Sequence, residues 1–79
     1  TPRLAPTIVG AGQPMELSNL DVEEESHIVI YSVAGSVIRQ FRVQGTDVFH
    51  LNAEETAGLY LLHVENGHQS ATLKYIVNP

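Results

Sequence analysis

Two segments of alternating polarity that meet at Asn66-Gly67 constrain the fold of this chain more than any other feature. Residues 58–65 read Gly-Leu-Tyr-Leu-Leu-His-Val-Glu, and residues 68–77 read His-Gln-Ser-Ala-Thr-Leu-Lys-Tyr-Ile-Val. Asn-Gly between such segments is a strong signal for a β-hairpin, because both central residues of a type I′ turn need a positive φ. The sequence therefore predicts a hairpin in which Glu65 pairs with His68.

This pairing divides the side chains of the hairpin between two faces. The predicted core face carries apolar side chains: Tyr60, Leu62, Val64, Ala71 and Leu73. The opposite face is mixed, with Leu59, Leu61, His63 and Glu65 opposite Lys74, Thr72, Ser70 and His68. A one-residue shift in register would exchange the faces. The mixed face is open either to solvent or to a partner.

A second hairpin is predicted from residues 27–33 and 37–43, which are rich in β-branched and aromatic side chains and flank a turn at Gly35. Ile28, Ile30 and Ile38 are expected in the core, with Val29 and Tyr31 on the opposite face. Ile38 and Phe41 do not share the parity of one strand face, which a β-bulge would reconcile.

The remaining segments are short. Residues 15–18 and 47–51 are predicted strands, and Asn52 is placed to cap one helical turn over residues 53–57. Residues 19–26 form a polar connection whose acidic triplet is expected to be solvated. Two prolines within residues 1–6 favour a linker, so residues 1–7 are assigned to a linker and residues 8–79 to one domain. Short strands with turns between them predict an all-β sandwich.

Composition limits what such a domain can bind. The chain has 79 residues, 43% of them hydrophobic, no cysteine and a net charge of −5. Its only fixed cations are Arg3, Arg39, Arg42 and Lys74. This balance argues against nucleic acid and against an anionic membrane surface as partners. No apolar run reaches the roughly 20 residues that span a bilayer. The start Thr-Pro-Arg lacks the features of a signal peptide, which indicates a piece of a longer protein.

The sequence carries no motif for catalysis, a metal or a cofactor. His63, His68 and Glu65 lie near one another on the outer face of the predicted hairpin, but the spacing of the four histidines (His27, His50, His63 and His68) matches no zinc motif. No motif positions a nucleophile, and the Gly10-Ala11-Gly12 segment is not followed by a helix that would complete a phosphate site. We therefore predict a non-enzymatic module with no catalytic residue, no metal, no cofactor and no small-molecule substrate.

Two stretches of the sequence resemble a known family. Residues 30–38, Ile-Tyr-Ser-Val-Ala-Gly-Ser-Val-Ile, resemble its "IYD-x-x-G-R-x-V" hairpin. Residues 57–64, Ala-Gly-Leu-Tyr-Leu-Leu-His-Val, followed by Lys-Tyr-Ile-Val at 74–77, resemble its "AGxYxLxV … KxxV" ending. The family is the C-terminal sorting domain of type IX secretion cargo proteins. The chain departs from the family pattern at Ser32 and Ser36, and it lacks the N-terminal "PNP" of the family.

The resemblance implies a compact immunoglobulin-like β-sandwich of about seven antiparallel strands. It also implies a signal that acts in the periplasm and directs a parent protein across the outer membrane, to the cell surface or the medium. The implied partners are an outer-membrane shuttle protein, the translocon and a sortase. The sortase would cut within residues 1–7 and attach the parent protein to a lipopolysaccharide.

Eight residues are predicted to contact the partner. The motif match carries over Gly35, Gly58, Tyr60 and Lys74. A final strand at a sheet edge would also offer Ile76, Val77, Asn78 and Pro79 for β-strand addition by a receptor. Two alternatives stay open: a docking domain that is retained in a component of the secretion machinery, and an adhesive or ligand-binding module with its site in loops 19–26 or 52–57. The sequence does not determine the oligomeric state.

Overall fold

The computed structural model describes residues 1–79 and contains eight strands and no helix, hence no helix able to cross a membrane. In chain order the strands are β1 (Arg3–Ala5), β2 (Ile8–Gly10), β3 (Pro14–Ser18), β4 (Ser26–Ser32), β5 (Val37–Val43), β6 (Phe49–Asn52), β7 (Gly58–Asn66) and β8 (Gln69–Asn78). The predicted all-β class is confirmed, and the number of strands exceeds the expected seven by one.

The strands form two sheets. The smaller sheet has the order β1-β3-β6 and is antiparallel, and the larger has the order β2-β8-β7-β4-β5. Every pair in the larger sheet is antiparallel except β2 with β8, which run parallel. This exception corrects the expectation of antiparallel strands throughout. It arises because the chain crosses from β1 in one sheet to β2 in the other before it turns back into β3.

The core lies between the two sheets. The smaller sheet contributes Leu4, Met15, Leu17 and Leu51, and the larger contributes Ile28, Ile30, Leu62, Val64 and Tyr75 among its buried side chains. Along β3 and β7 these residues alternate with exposed or half-buried ones, as a sandwich requires. On β4, Val29 on the opposite face is buried as well. The core positions predicted for Ile28, Ile30, Tyr60, Leu62 and Val64 are confirmed, and Ala71 and Leu73 pack against the core while partly buried.

The N-terminal residues are part of the sandwich, which corrects the assignment of residues 1–7 to a linker. Residues 3–5 form β1, and Leu4, opposite Leu17 on β3, is buried in the core. Asn19 also donates a side-chain hydrogen bond to the carbonyl of Thr1 at 2.9 Å. The prolines suggested a linker because they exclude a helix interior, but Pro2 and Pro6 flank a strand of only three residues and leave its ladder intact.

The register of the C-terminal hairpin differs by two residues from the prediction. Asn66 pairs with Gln69, so the turn residues are Gly67 and His68 rather than Asn66 and Gly67. Only Gly67 has a positive φ, 60°, which fits a turn with glycine at its first central position. An even shift preserves both faces, since side chains alternate with a period of two.

The side chain of Asn66 explains the shifted register. It is fully buried, where its amide nitrogen donates to Oγ of Ser26 at 2.8 Å and its oxygen accepts from the backbone N–H of Asp21 at 2.6 Å. Gln69 also donates to this oxygen at 3.0 Å. A place in the turn would leave these buried polar groups unpaired, at a cost of about 1–3 kcal/mol for each.

The β4–β5 hairpin contains the bulge that the sequence suggested. Ile30 pairs with Arg39 whereas Tyr31 pairs with Val37, so Ile38 is the extra residue. Ile38 is 41% exposed, which corrects its predicted core position. Phe41, opposite Ile28, packs against the core instead. Val29 and Tyr31 lie on the opposite face, as predicted.

Residues 53–57 do not form the predicted helical turn. The backbone N–H of Ala53 donates to the carbonyl of Gln13 at 2.8 Å, and the carbonyl of Glu54 accepts from Gly12 at 3.1 Å. The β2–β3 turn thus takes the Glu54 carbonyl, which would have accepted a hydrogen bond within the helical turn.

Candidate docking surface

The outer face of the larger sheet has an apolar end. One row across the strands consists of Ile8 on β2, Ile76 on β8 and Leu59 on β7. The next row consists of Lys74 on β8, Leu61 on β7, Tyr31 on β4 and Val37 on β5. Ile8 is 63% exposed and Ile76 41%. We call these seven residues the apolar end of the outer face; exposed apolar groups gathered in one patch are typical of contact surfaces.

The opposite end of the same face is polar. His63 lies between Thr72 and Glu65, with ring nitrogens 2.9 Å from Oγ1 of Thr72 and 3.3 Å from Oε1 of Glu65. Arg42 on β5 pairs with Glu25 at 3.0 Å. The face therefore changes from polar near the β7–β8 turn to apolar near the C-terminal end of β8.

The two glycines predicted to contact the partner lie at strand boundaries. Gly35 is exposed in the β4–β5 turn. Gly58 is exposed at the start of β7, opposite Val77, and has a φ of 155°. That conformation is essentially limited to glycine, so Gly58 has a backbone reason for its identity that is independent of any partner.

Tyr60 and Val77 point into the core. Tyr60 is 7% exposed and Val77 2%. The Tyr60 hydroxyl donates to the carbonyl of Thr56 at 2.8 Å, and its ring stacks on Tyr75 with centroids 5.5 Å apart. Any influence of these two residues on docking would therefore act through the shape of the domain.

Lys74, Ile76, Asn78 and Pro79 are exposed. Lys74 is on the outer face, as predicted, but opposite Leu61 rather than Leu59 because of the shifted register. The expectation that the final residues lie at a free sheet edge is wrong for Ile76–Asn78, because β2 pairs with them. The crossover of β1 and β2 between the sheets covers this part of the edge.

The apolar end includes residues that the sequence did not single out as partner contacts. Leu59, Leu61 and Tyr31 follow from the alternation of the two hairpins. Ile8 does not, because its place beside Ile76 depends on the parallel β2–β8 pairing, for which the sequence has no local signal.

A groove of about 530 Å³ lies beside β5 and the 53–56 connection. Its lining includes Arg39, Glu54, Glu55, Thr56 and Tyr60. Nη2 of Arg39 lies 2.7 Å from Oε2 of Glu54 and donates to the carbonyl of Asn52 at 2.6 Å. The hydroxyl of Tyr75 donates to Oε1 of Glu54. Burial, together with this hydrogen bond and the Glu54 charge, raises the pKa of Tyr75 well above its usual range.

The histidines are dispersed. His27 lies near Gln40, and His50 pairs with Glu16 at 3.2 Å on the outer face of the smaller sheet. His68 lies in the β7–β8 turn, away from the His63–Thr72 row. No three His, Asp or Glu side chains are arranged to hold a metal ion.

These features define a small all-β sandwich domain that leaves one partly apolar sheet face open. Residues 15–78 match the model of a family described as the secretion system C-terminal sorting domain. This match covers most of the 79 residues, and the chain belongs to that family. The resemblance to the type IX sorting domain is thereby confirmed.

A solved structure from Porphyromonas gingivalis has a similar fold. It is PorZ, described as an essential bacterial surface component of the type-IX secretion system. The two superpose with a TM-score of 0.76 at 14% sequence identity, over 99% of this chain and 11% of PorZ. The chain thus corresponds to about a tenth of PorZ, and at this identity the likeness concerns the fold. No curated protein matches the sequence.

Proposed function

We propose that this domain is a sorting signal that directs its parent protein across the outer membrane through the type IX secretion system. The observation that carries the proposal is the family match over residues 15–78, which includes both hairpins in full. In this proposal the domain acts by docking to an outer-membrane shuttle protein and has no catalytic activity of its own. The eight-stranded sandwich and its likeness to PorZ support an immunoglobulin-like type.

The apolar end of the outer face is the surface that we assign to docking. Ile8, Ile76 and Leu59 form a row there that spans three strands, and Lys74 stands in the adjoining row. An apolar centre with one charged group provides both burial and orientation for a protein contact. The eight residues first expected to contact the partner thus separate into exposed ones and two buried ones, Tyr60 and Val77.

Processing by a sortase, and attachment of the parent to a lipopolysaccharide, are part of the proposal. The place of the cut follows from β1. A cut between Arg3 and Thr7 would separate β1, with buried Leu4, from the sandwich, whereas a protease needs an extended and accessible segment. Pro2 is buried as well, so we propose that a cut which leaves the domain folded lies before Pro2.

The experiment is export of a reporter with a periplasmic signal peptide in front and this chain behind, in cells with a working type IX apparatus. We expect the reporter at the surface or in the medium, and its size shows whether it was cut. Ile76→Ser should reduce export. The matched control is His50→Ser, an exposed change on the outer face of the smaller sheet, which should not. A folded wild-type reporter that stays in the periplasm would contradict the proposal.

A retained docking domain of the secretion machinery is a second candidate. PorZ is described as a component of that machinery, and a region of it shares this fold. The size of the exported reporter separates the two, because a retained domain stays attached.

A ligand-binding module is the third candidate, favoured by the groove beside residues 53–56. Arg39 and Glu54 in this groove already pair with each other, so neither charge is free to bind a ligand.

A further inference from the structure

Half of β8 has a neighbouring strand on one side only. β7 pairs with β8 from Gln69 to Val77, whereas β2 pairs only with Ile76–Asn78. The place beside residues 69–74, directly in line with β2, is empty of any strand. The larger sheet therefore has an open edge along the part of β8 that follows the β7–β8 turn.

The backbone groups at this edge are unpaired. The N–H of Ile76 donates to the carbonyl of Thr7 at 2.8 Å, which directs the N–H and C=O of Ile76 away from β7. Because successive residues of a strand direct these groups to alternate sides, the groups of Ser70, Thr72 and Lys74 face the open edge. None of them takes part in a hydrogen bond of a turn or loop. Three donors and three acceptors thus lie in one row.

The other outer edge of this sheet, formed by β5, is protected against the addition of a strand. β5 carries the bulge at Ile38, and two arginines on it, Arg39 and Arg42, are held in ion pairs. A bulge at a sheet edge is one of the usual means of preventing strand addition. β8 has no irregularity in its pairing with β7, and its edge residues include the short side chains of Ser70 and Thr72. Of the two edges, β8 is the one fitted to receive a strand.

The charge at this edge points to an acidic residue in the incoming strand. Arg39 and Arg42 are paired with carboxylates, but Lys74 forms no ion pair, although the chain carries a net charge of −5. On the inner face of the same edge, Ala71 and Leu73 are only partly buried. A strand laid here would place alternate side chains over Leu73 and beside Lys74, so apolar and acidic residues would alternate in it.

We infer that the open edge of β8 at Ser70, Thr72 and Lys74 receives an extended segment of the secretion partner, which continues β2 as an added strand. The segment carries an acidic side chain beside Lys74 and an apolar one over Leu73. This inference rests on the proposed sorting function. To the apolar end of the outer face it adds a second contact, at the neighbouring sheet edge, and a manner of docking. Main-chain hydrogen bonds give such a contact its affinity.

Proline substitution tests the edge because it removes one backbone donor. In Thr72→Pro the lost N–H faces the open edge, so the β7–β8 ladder keeps its bonds, and proline is tolerated at such positions. The matched control is Gln40→Pro. The same alternation, carried through β7 and β4, directs the N–H of Gln40 to the open edge of β5. Both variants are first checked for folding by circular dichroism and thermal unfolding.

Both variants are then compared with wild type in the export assay and in binding to the purified outer-membrane shuttle protein. We expect Gln40→Pro to match wild type and Thr72→Pro to bind about tenfold more weakly, as for the loss of one hydrogen bond. Lys74→Glu should weaken binding as well, but Lys74 also belongs to the apolar end of the outer face. If Thr72→Pro fails to fold, amide exchange of the wild-type chain supplies the test of the edge. Amide hydrogen exchange should show new protection at Ser70, Thr72 and Lys74 in the complex.

The contrary outcomes are distinct. The edge inference would be overturned if folded Thr72→Pro and Lys74→Glu were exported as well as wild type and the three amides gained no protection. The sorting function would then remain intact. Protection that appears with rising concentration of the chain alone would assign the edge to a second copy and also overturn it. Failure of the wild-type reporter to be exported would contradict both the proposed sorting function and the edge inference.

Discussion

The hydroxyl of Tyr75 donates a hydrogen bond to Oε1 of Glu54, and this contact joins β8 of the larger sheet to the connection that follows β6 of the smaller one. The other carboxylate oxygen of Glu54 accepts from Nε of Arg39 at 3.0 Å. The side chain of Glu54 is 9% exposed and that of Arg39 34%. One buried carboxylate thus holds together three segments at the edge of the core.

Replacing Tyr75 by Phe should change how stability depends on pH. Burial and the Glu54 contact raise the pKa of Tyr75 in the folded state. Below the ordinary tyrosine pKa of about 10, both states keep the proton, but above it only the unfolded chain loses it, so stability falls as pH rises. Urea unfolding on both sides of that pH should show a smaller alkaline loss for Tyr75→Phe than for wild type. Equal losses in the two proteins would contradict the assignment.

Replacing Arg39 by Gln should destabilise the domain by about 2 kcal/mol, because Glu54 would keep its burial and lose its charged donor. This figure lies below that for a fully buried pair, since Arg39 is partly exposed. The control is Arg42→Gln, whose partner Glu25 is exposed, with an expected change within about 0.5 kcal/mol. Chemical denaturation measures both. Similar losses for the two variants would show that burial of Glu54 is unimportant.

Replacing Asn66 by Ala should cost about 2 kcal/mol, since Ser26 and the backbone of Asp21 would each lose a hydrogen-bond partner. The control is Asn78→Ala, at the exposed end of β8, which should be close to neutral. Thermal unfolding compares them. If Asn66→Ala were as stable as the control, Asn66 would not be the cause of the observed register.

Replacing Leu4 by Ala should destabilise the domain by about 2–3 kcal/mol, as for a large-to-small change in a core. Ile8→Ala is the control, because Ile8 is mostly exposed on the outer face. Urea unfolding measures the difference between them. A small effect for Leu4→Ala would restore residues 1–7 to a linker and would move the proposed cut back into them.

The elements of the two hairpins could be predicted from the sequence because their signals are local. Alternation of side chains places Tyr60, Leu62 and Val64 on one face whatever the exact partner residues are, and an even shift of register leaves that result unchanged. The motifs at residues 30–38 and 57–77 were also sufficient to indicate the family, since each lies within one hairpin. The outer face was recognised in part, through Leu59 and Leu61.

Contacts between distant segments set the features that the sequence did not predict. Asn66 lies in β7 and not in the turn, because there its side chain hydrogen-bonds Ser26 and Asp21, some 40 residues earlier in the chain. Ile38 is exposed and not in the predicted core position, because it is the extra residue of the bulge where β5 pairs with β4. Residues 1–10 joined both sheets, which covered the C-terminal end of β8 and left its first six residues open on one side. Periodicity and turn chemistry act within a few residues, so the order of amino acids was enough to predict them. Pairing, burial of polar groups and free edges depended on the whole fold, because they are set by the segments that lie alongside.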